Sequence, residues 1–252
     1  MVKQQLVGRS AVTHAEPRLY VIPGSHACRA AMLMLEHKGL GWRPFEFLTG
    51  MQTIAMRPLG FPGRTVPALK LNGTRVQGNR QIARFLDRLD PDRPLLPTHR
   101  LTAIEEAERF ADKVLQAIAR RLVLAAGRRD LANLADHGDT GRLGTVLAPS
   151  RWRRRMVMRM AGRFFGITDE TEALDLKALP GVLDQVDSLV SSGVLGGPEL
   201  NAADFQTAPS LALLSYRLDL RDEVESRPSW RLAERLLPAP EETLRSPEEA
   251  VR

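Results

Sequence analysis

The sequence predicts an α/β unit followed by an all-α bundle. Three observations carry that prediction. Between Arg18 and Leu89, short β-rich runs alternate with runs whose apolar residues recur at helical spacing. From Asp90 to Pro97 the chain is proline-rich, with Pro91, Pro94 and Pro97 closing off regular structure. Beyond that linker no run reads as a strand, whereas helical periodicity returns repeatedly.

Taken in order, Arg18–Ile22 is a β-rich run closed by Pro23-Gly24, and Ser25–Lys38 is a helix ended by Gly39. Trp42–Leu48 reads as a second strand, parallel to the first because the helix between them crosses over. Met51–Arg57 reads equally as a short helix or a loop, and Arg57–Arg64, with two prolines and two glycines, as loop. Arg64–Gln77 forms two strands around Asn72-Gly73, a pair that tolerates the positive φ angles of a two-residue hairpin turn. Pro67 stands where the first of these strands begins, a position at which its missing N–H is tolerated. A cis Val66–Pro67 bond would hold the Val66 N–H and C=O out of the ladder, free for an extended peptide-like ligand. Asn79–Leu89 is a helix with Ile82, Phe85, Leu86 and Leu89 on one face and Asn79 as its N-cap. The unit thus reads βαβαββα.

Thr98 opens a long helix striped by Ile104, Ala107, Ala111, Leu115, Ile118 and Leu122. Gly138–Gly144 reads as loop. Ser150–Phe165, Thr168–Val190 with a break at Pro180, Ala202–Leu220 and Ser229–Leu237 are further helices. The expected organisation is a disordered tail (1–16), an α/β domain (17–90), a linker (91–97), a helical domain (98–238) and a flexible tail (239–252).

At 252 residues and 43% hydrophobic content the chain can bury one large core or two modest ones. Its formal charge of +6 suits an acidic partner, yet only five of the 36 basic residues are lysines. That skew fits the genome of a GC-rich bacterium as well as any function. The single cysteine, Cys28, excludes an internal disulfide and any multi-cysteine metal site, so no metal is expected and a reducing cytoplasm suits the protein. No apolar window approaches the roughly 18 residues of a membrane span, and the polar start lacks a signal peptide's apolar core.

One charged stretch stands out. On a helix, Arg151, Arg155, Arg159 and Arg163 form a row beside Trp152, Met156, Met160 and Phe164. Like charges so spaced need acids, which Glu105, Glu106, Glu108 and Asp112 are placed to supply, or an anionic partner. Aromatic interleaving for base stacking is sparse, which argues against nucleic acid and for a salt-bridged bundle face.

Three motifs, in this order and spacing, carry a resemblance. They are Pro23-Gly24-Ser25-His26-Ala27-Cys28-Arg29 at the first helix, Thr65-Val66-Pro67-Ala68-Leu69 at the hairpin, and Asn201-Ala202-Ala203-Asp204 before a late helix. Together they resemble the glutathione S-transferase superfamily, in particular its theta-like Ser-x-x-Cys-Arg form, across residues 18–237. The resemblance implies a thioredoxin-like N-terminal domain, a helical C-terminal domain carrying the second substrate, a cis-proline at Pro67 and a homodimer. It also implies that Ser25 donates to the thiolate of glutathione, that Val66 clamps the thiol's backbone, and that Pro67, Gln77, Gly78 and Asn79 line its site. A hydroxyl at a helix N-terminus suits that task, because the donated hydrogen bond and the local positive potential both favour S⁻ over S–H. His26 and Arg29 flank the turn and are candidates for an anionic group of the ligand. Asn201 and Asp204 form a capping pair, Asn201 on the helix N–H groups and Asp204 reaching back to the cap.

The chain departs from the family at Gly78-Asn79, where a Glu-Ser or Gln-Ser pair usually holds the γ-glutamyl group. Which thiol binds, glutathione or another of low molecular weight, therefore stays open, as does the apolar electrophile that receives it. Two other readings remain: a catalytically silent member used for ligand carriage or protein contact, and thiol–disulfide exchange at Cys28.

Overall fold

The structure, a computed structural model, describes residues 16–129, 134, 162, 163 and 165–238. The expected tails, save Glu16, the Gly138–Gly144 loop, and all of the arginine-rich helix except Gly162, Arg163 and Phe165 lie outside the described residues.

The first half is built of β1 (Arg18–Val21), α1 (His26–His37), β2 (Arg43–Glu46), α2 (Gln52–Ala55), β3 (Ala68–Leu71), β4 (Thr74–Gln77) and α3 (Asn79–Leu89). The sheet order is β2-β1-β3-β4, with β1 parallel to β2 and antiparallel to β3. This is a thioredoxin-like arrangement, and the parallel pair follows from the α1 crossover. Asn72 and Gly73 both take positive φ, 49° and 81°, so that Leu71 pairs with Thr74 across the hairpin. Side chains alternate across β1 and β3 as the pleat requires. Leu19, Val21 and Leu69 enter the main core with Met34, Ile82 and Leu86, while Tyr20 and Ala68 face a second cluster with Phe47, Met56 and Phe61. The ambiguous Met51–Arg57 segment resolves into the single turn of α2. Asn79 is not the N-cap of α3. Gly78, with φ 85°, occupies that position, and Asn79 is the first helical residue.

The second half opens with a 3-10 turn (Thr98–Arg100), then α4 (Leu101–Phe110), a π-helical turn (Ala111–Leu115) and α5 (Gln116–Arg129). The expected stripe from Ile104 to Leu122 is buried throughout. Next come α6 (Asp169–Ser191), α7 (Ala202–Leu214), α8 (Arg221–Glu225) and α9 (Trp230–Leu236). The expected break at Pro180 is absent. Pro180 lies on the exposed side of α6, where the carbonyl deprived of its helical donor can be hydrated. The helix expected over Ala202–Leu220 instead ends at Leu214, and the chain turns before α8.

Every residue of α7 is buried, with α1, α4, α5 and α9 packed around it. The junction with α1 makes the two halves share one core. Two polar devices reinforce it. Lys38, its side chain wholly buried, reaches the Asp87 carboxylate at 2.8 Å and the carbonyls of Asp90 and Arg93 in the linker. Glu108 of α4, also fully buried, accepts from Arg80 and Arg84 of α3 and from Gln206 of α7. Glu105 likewise pairs with Arg84 at 2.8 Å. These acids, expected to answer the arginine row, are used to hold α3.

Candidate active site

The site forms where β1 ends, β3 begins and α1 and α3 start. After β1 the chain turns at Gly24, whose φ of 72° suits glycine, and the Ser25 N–H donates to the Ile22 carbonyl at 3.1 Å. Ser25 then caps α1, its Oγ accepting from the Cys28 N–H at 3.4 Å. Because the cap uses a lone pair, the hydroxyl proton is left to donate elsewhere. Pairing of Tyr20 with Ala68 brings Ile22 beside Val66, and both pack on the Tyr20–Phe61 cluster. The Val66–Pro67 bond is cis. Among the described residues the Val66 backbone N–H and C=O make no hydrogen bond, while the Pro67 carbonyl accepts from Gly78 N–H at 2.9 Å.

The remaining sequence-derived candidates divide by what they touch. Gln77 accepts from Gly63 N–H and donates to the Thr65 carbonyl, both at 2.6 Å, bracing the loop that leads into Val66. Asn79 is buried, and its Nδ2 donates to the Ala27 carbonyl at 3.0 Å, pinning the start of α3 to the start of α1. Open space lies where a side chain at Gly78 would project. Arg29 is held in an ion pair with Glu36 at 3.1 Å, one face of α1 bonded to itself. Asn201 and Asp204 lie far along the chain at the start of α7. Asn201 Oδ1 accepts from Ala203 N–H, and the Asp204 carboxylate accepts from Asn201 N–H and Gly196 N–H.

His26 and Cys28 face inward. Cys28 is 1% exposed, and burial pushes its thiol up to about 11 against the opposing pull of Ser25. His26, a candidate for an anionic group of the ligand, is buried. Burial first and the Arg120 charge second push its imidazole down to about 3, with the Gln116 backbone acting the other way. Gln116 and Arg120 begin α5 just past the π-helical turn and stand against the start of α1. Sequence reasoning missed both. On a helix judged by its apolar stripe, a glutamine and one of two adjacent arginines carry no signal of their own. Among the described residues no cluster of His, Cys, Asp or Glu could hold a metal ion, and no helix is long and apolar enough to cross a membrane.

Residues 19–94 match the family described as glutathione S-transferase, N-terminal domain. That match covers less than a third of the chain and places a glutathione S-transferase N-terminal domain in its first half. Its fold agrees over most of its length with solved glutathione transferases. One from Methylobacterium radiotolerans, in complex with glutathione sulfonate, is 21% identical with a TM-score of 0.59, covering 88% of this chain and 90% of that one. Another from Ceriporiopsis subvermispora, in complex with glutathione, is 16% identical with a TM-score of 0.62, over 88% and 95% of the two chains. A glutathione transferase from Phanerochaete chrysosporium is 17% identical with a TM-score of 0.63, over 88% and 96%. No curated protein matches the sequence. At these identities the solved structures establish the glutathione-transferase fold for this chain.

Proposed function

We propose that the protein is a glutathione-transferase-like enzyme that joins a low-molecular-weight thiol to an electrophile. The observation that carries this reading is Ser25, a half-buried N-cap hydroxyl on the turn after β1, with the Val66 backbone across from that turn unpaired among the described residues. Val66 N–H and C=O would bind the thiol's cysteinyl backbone as a short added strand. Ser25 O–H would donate to the sulfur, and the N-terminus of α1 would add its positive potential, so that the thiolate is favoured at neutral pH. With an aromatic halide as acceptor, a carbon–sulfur bond forms, the halide leaves with its electron pair, and the thiol proton passes to solvent. Cys28 has no part in this step, because a buried thiol that resists ionisation is a poor nucleophile.

Glutathione is the first thiol to test, since solved proteins of this fold carry it. Gly78-Asn79 supports a wider choice. Gly78 offers no side chain, and Asn79 Nδ2 is occupied with the Ala27 carbonyl, which leaves only Asn79 Oδ1 without a partner among the described residues. The same observation favours a second reading, a catalytically silent member that carries ligands or contacts other proteins. The proposal includes two domains meeting at the 91–97 linker, a cytoplasmic location suited to one unpaired cysteine, and a homodimer. Exposed apolar side chains at Leu48, Met51 and Ile54 give a second copy something to cover.

Conjugation of glutathione to 1-chloro-2,4-dinitrobenzene tests the reading. The wild-type protein should exceed the uncatalysed rate, and Ser25→Ala should lose most of the excess. Equal background rates for both would leave the silent reading in place. Thermal shifts with glutathione and with other small thiols then rank the partners, because a ligand of the native state alone raises its stability.

A further inference from the structure

Arg120 is a cation that the proposed thiol activation leaves unused. Its neighbour Arg121 donates to both carboxylate oxygens of Asp175 at 2.6 Å. Arg120 has no carboxylate within ion-pair distance among the described residues. It is held by Gln116 Oε1 at 3.0 Å and lies over the Phe165 ring, 4.6 Å from its centroid. Removing a guanidinium from water without an anion is costly, and burial accordingly lowers its pKa, helped by the Arg121 charge, while Asp112 and then Cys28 pull the other way.

Two neighbouring groups are unsatisfied as well. His26 and Gln116 are 4% and 7% exposed, and among the described residues His26 Nε2 and Gln116 Nε2 have no hydrogen-bond partner. Buried polar atoms in this state are unusual and call for a ligand or solvent. Both residues, with Arg120, gather where the π-helical turn delivers α5 against the first turn of α1, the Gln116 backbone hydrogen-bonding His26 and the Arg120 charge acting on His26 and Cys28. Such turns recur at functional sites because they displace the helix surface by one residue. Gln116 Nε2 supplies two N–H donors and Arg120 a planar fork, a set that complements an oxyanion.

We propose that Arg120, assisted by Gln116, binds a carboxylate carried by the electrophile, so that the second substrate is an anionic rather than a purely apolar molecule. This rests on the thiol-transfer reading. The assignment to the electrophile follows from position. Val66, Pro67 and Gly78 belong to the sheet side of the α1 N-terminus, whereas Gln116 and Arg120 belong to the helical side, across Ser25 and Cys28. Arg120 here sets specificity, and Ser25 remains the group that meets the sulfur.

The test compares 4-chloro-3,5-dinitrobenzoate with uncharged 1-chloro-2,4-dinitrobenzene for conjugation, each rate corrected for its uncatalysed reaction. It also compares binding of the unreactive 3,5-dinitrobenzoate with that of 1,3-dinitrobenzene by calorimetry. Wild type should favour the carboxylate member of each pair by about 10-fold or more, the scale of one charge-assisted hydrogen bond. Arg120→Met should abolish the preference, bringing binding of 3,5-dinitrobenzoate down to that of 1,3-dinitrobenzene, and Arg120→Lys should restore part of it. Anion binding that depends on Arg120 without any conjugation would uphold this site and remove the thiol-transfer reading instead. Equal binding of charged and uncharged compounds, or a preference unchanged in Arg120→Met, would overturn the proposal while leaving thiol transfer intact.

Discussion

At the scale of single residues, the contrast between Ser25 and Cys28 sets the chemistry. They lie within one helical turn, yet one is a half-buried hydroxyl at the helix start and the other is a buried thiol held protonated. Ser25→Ala should lower kcat/KM for conjugation by roughly 100-fold, the scale of losing one preorganised donor. Cys28→Ala should leave it within a few-fold, and steady-state kinetics on both variants checks the pair. Asp204 supplies a pH dependence. Burial raises its carboxyl to about 6 despite two backbone N–H donors, above its unfolded value of 3.8. The native state then holds this proton more tightly than the unfolded chain, so the contribution is fully present below the unfolded value and fades as pH rises through about 6. Urea midpoints should therefore fall between pH 4 and 6 in wild type relative to Asp204→Asn. A wild-type curve parallel to the variant's would refute this. The capping patterns at Ser25 and Asn201 were legible because caps are local chemistry. Arg120 was not, since its significance is that no acid among the described residues packs within ion-pair distance, which only tertiary packing decides.

At the scale of elements, local signals and packing divide the outcome. The Asn72-Gly73 hairpin was readable because the turn residues alone select the conformation. Pro180 misled, because proline's penalty depends on whether the freed carbonyl meets solvent, and on α6 it does. Asn79 misled in another way. A helix start with Gly78 ahead of it needs no side-chain cap, and the amide found a carbonyl on α1 instead. The long helix from Thr98 was visible as a stripe, but the π-helical turn inside it leaves that stripe unbroken and so has no signature in periodicity. Glu108 ties α3, α4 and α7 together through Arg80, Arg84 and Gln206. Glu108→Ala would strand two partly exposed arginines and a buried amide, and should cost about 3 kcal/mol in urea unfolding. A loss below about 1 kcal/mol would mean that solvent replaces the carboxylate, as it does for surface pairs.

For the whole molecule, the two halves are joined by packing that the sequence does not announce. The packing of α1 against α7 is nonlocal, and the Lys38 tether reaches carbonyls more than 50 positions away in the chain. Fold class was still legible, because alternating strands and helices followed by uninterrupted helical periodicity leave few architectures. The assembly expected with this function is a homodimer, and light scattering at micromolar concentration should give twice the 28.0 kDa of one chain. A mass of one chain would remove the dimer from the proposal.

The central claim is that the start of α1 lowers the pKa of a bound thiol through Ser25. The most direct test is the titration of that thiol on the protein, followed by ultraviolet thiolate absorbance, using whichever thiol gives the largest thermal shift. A free thiol titrates near 8.5. The account predicts a bound value at least about one unit lower in wild type, returning most of the way in Ser25→Ala, as loss of a hydrogen bond to the anion requires. A wild-type value equal to that of the free thiol, or a lowered value unchanged in Ser25→Ala, would contradict it.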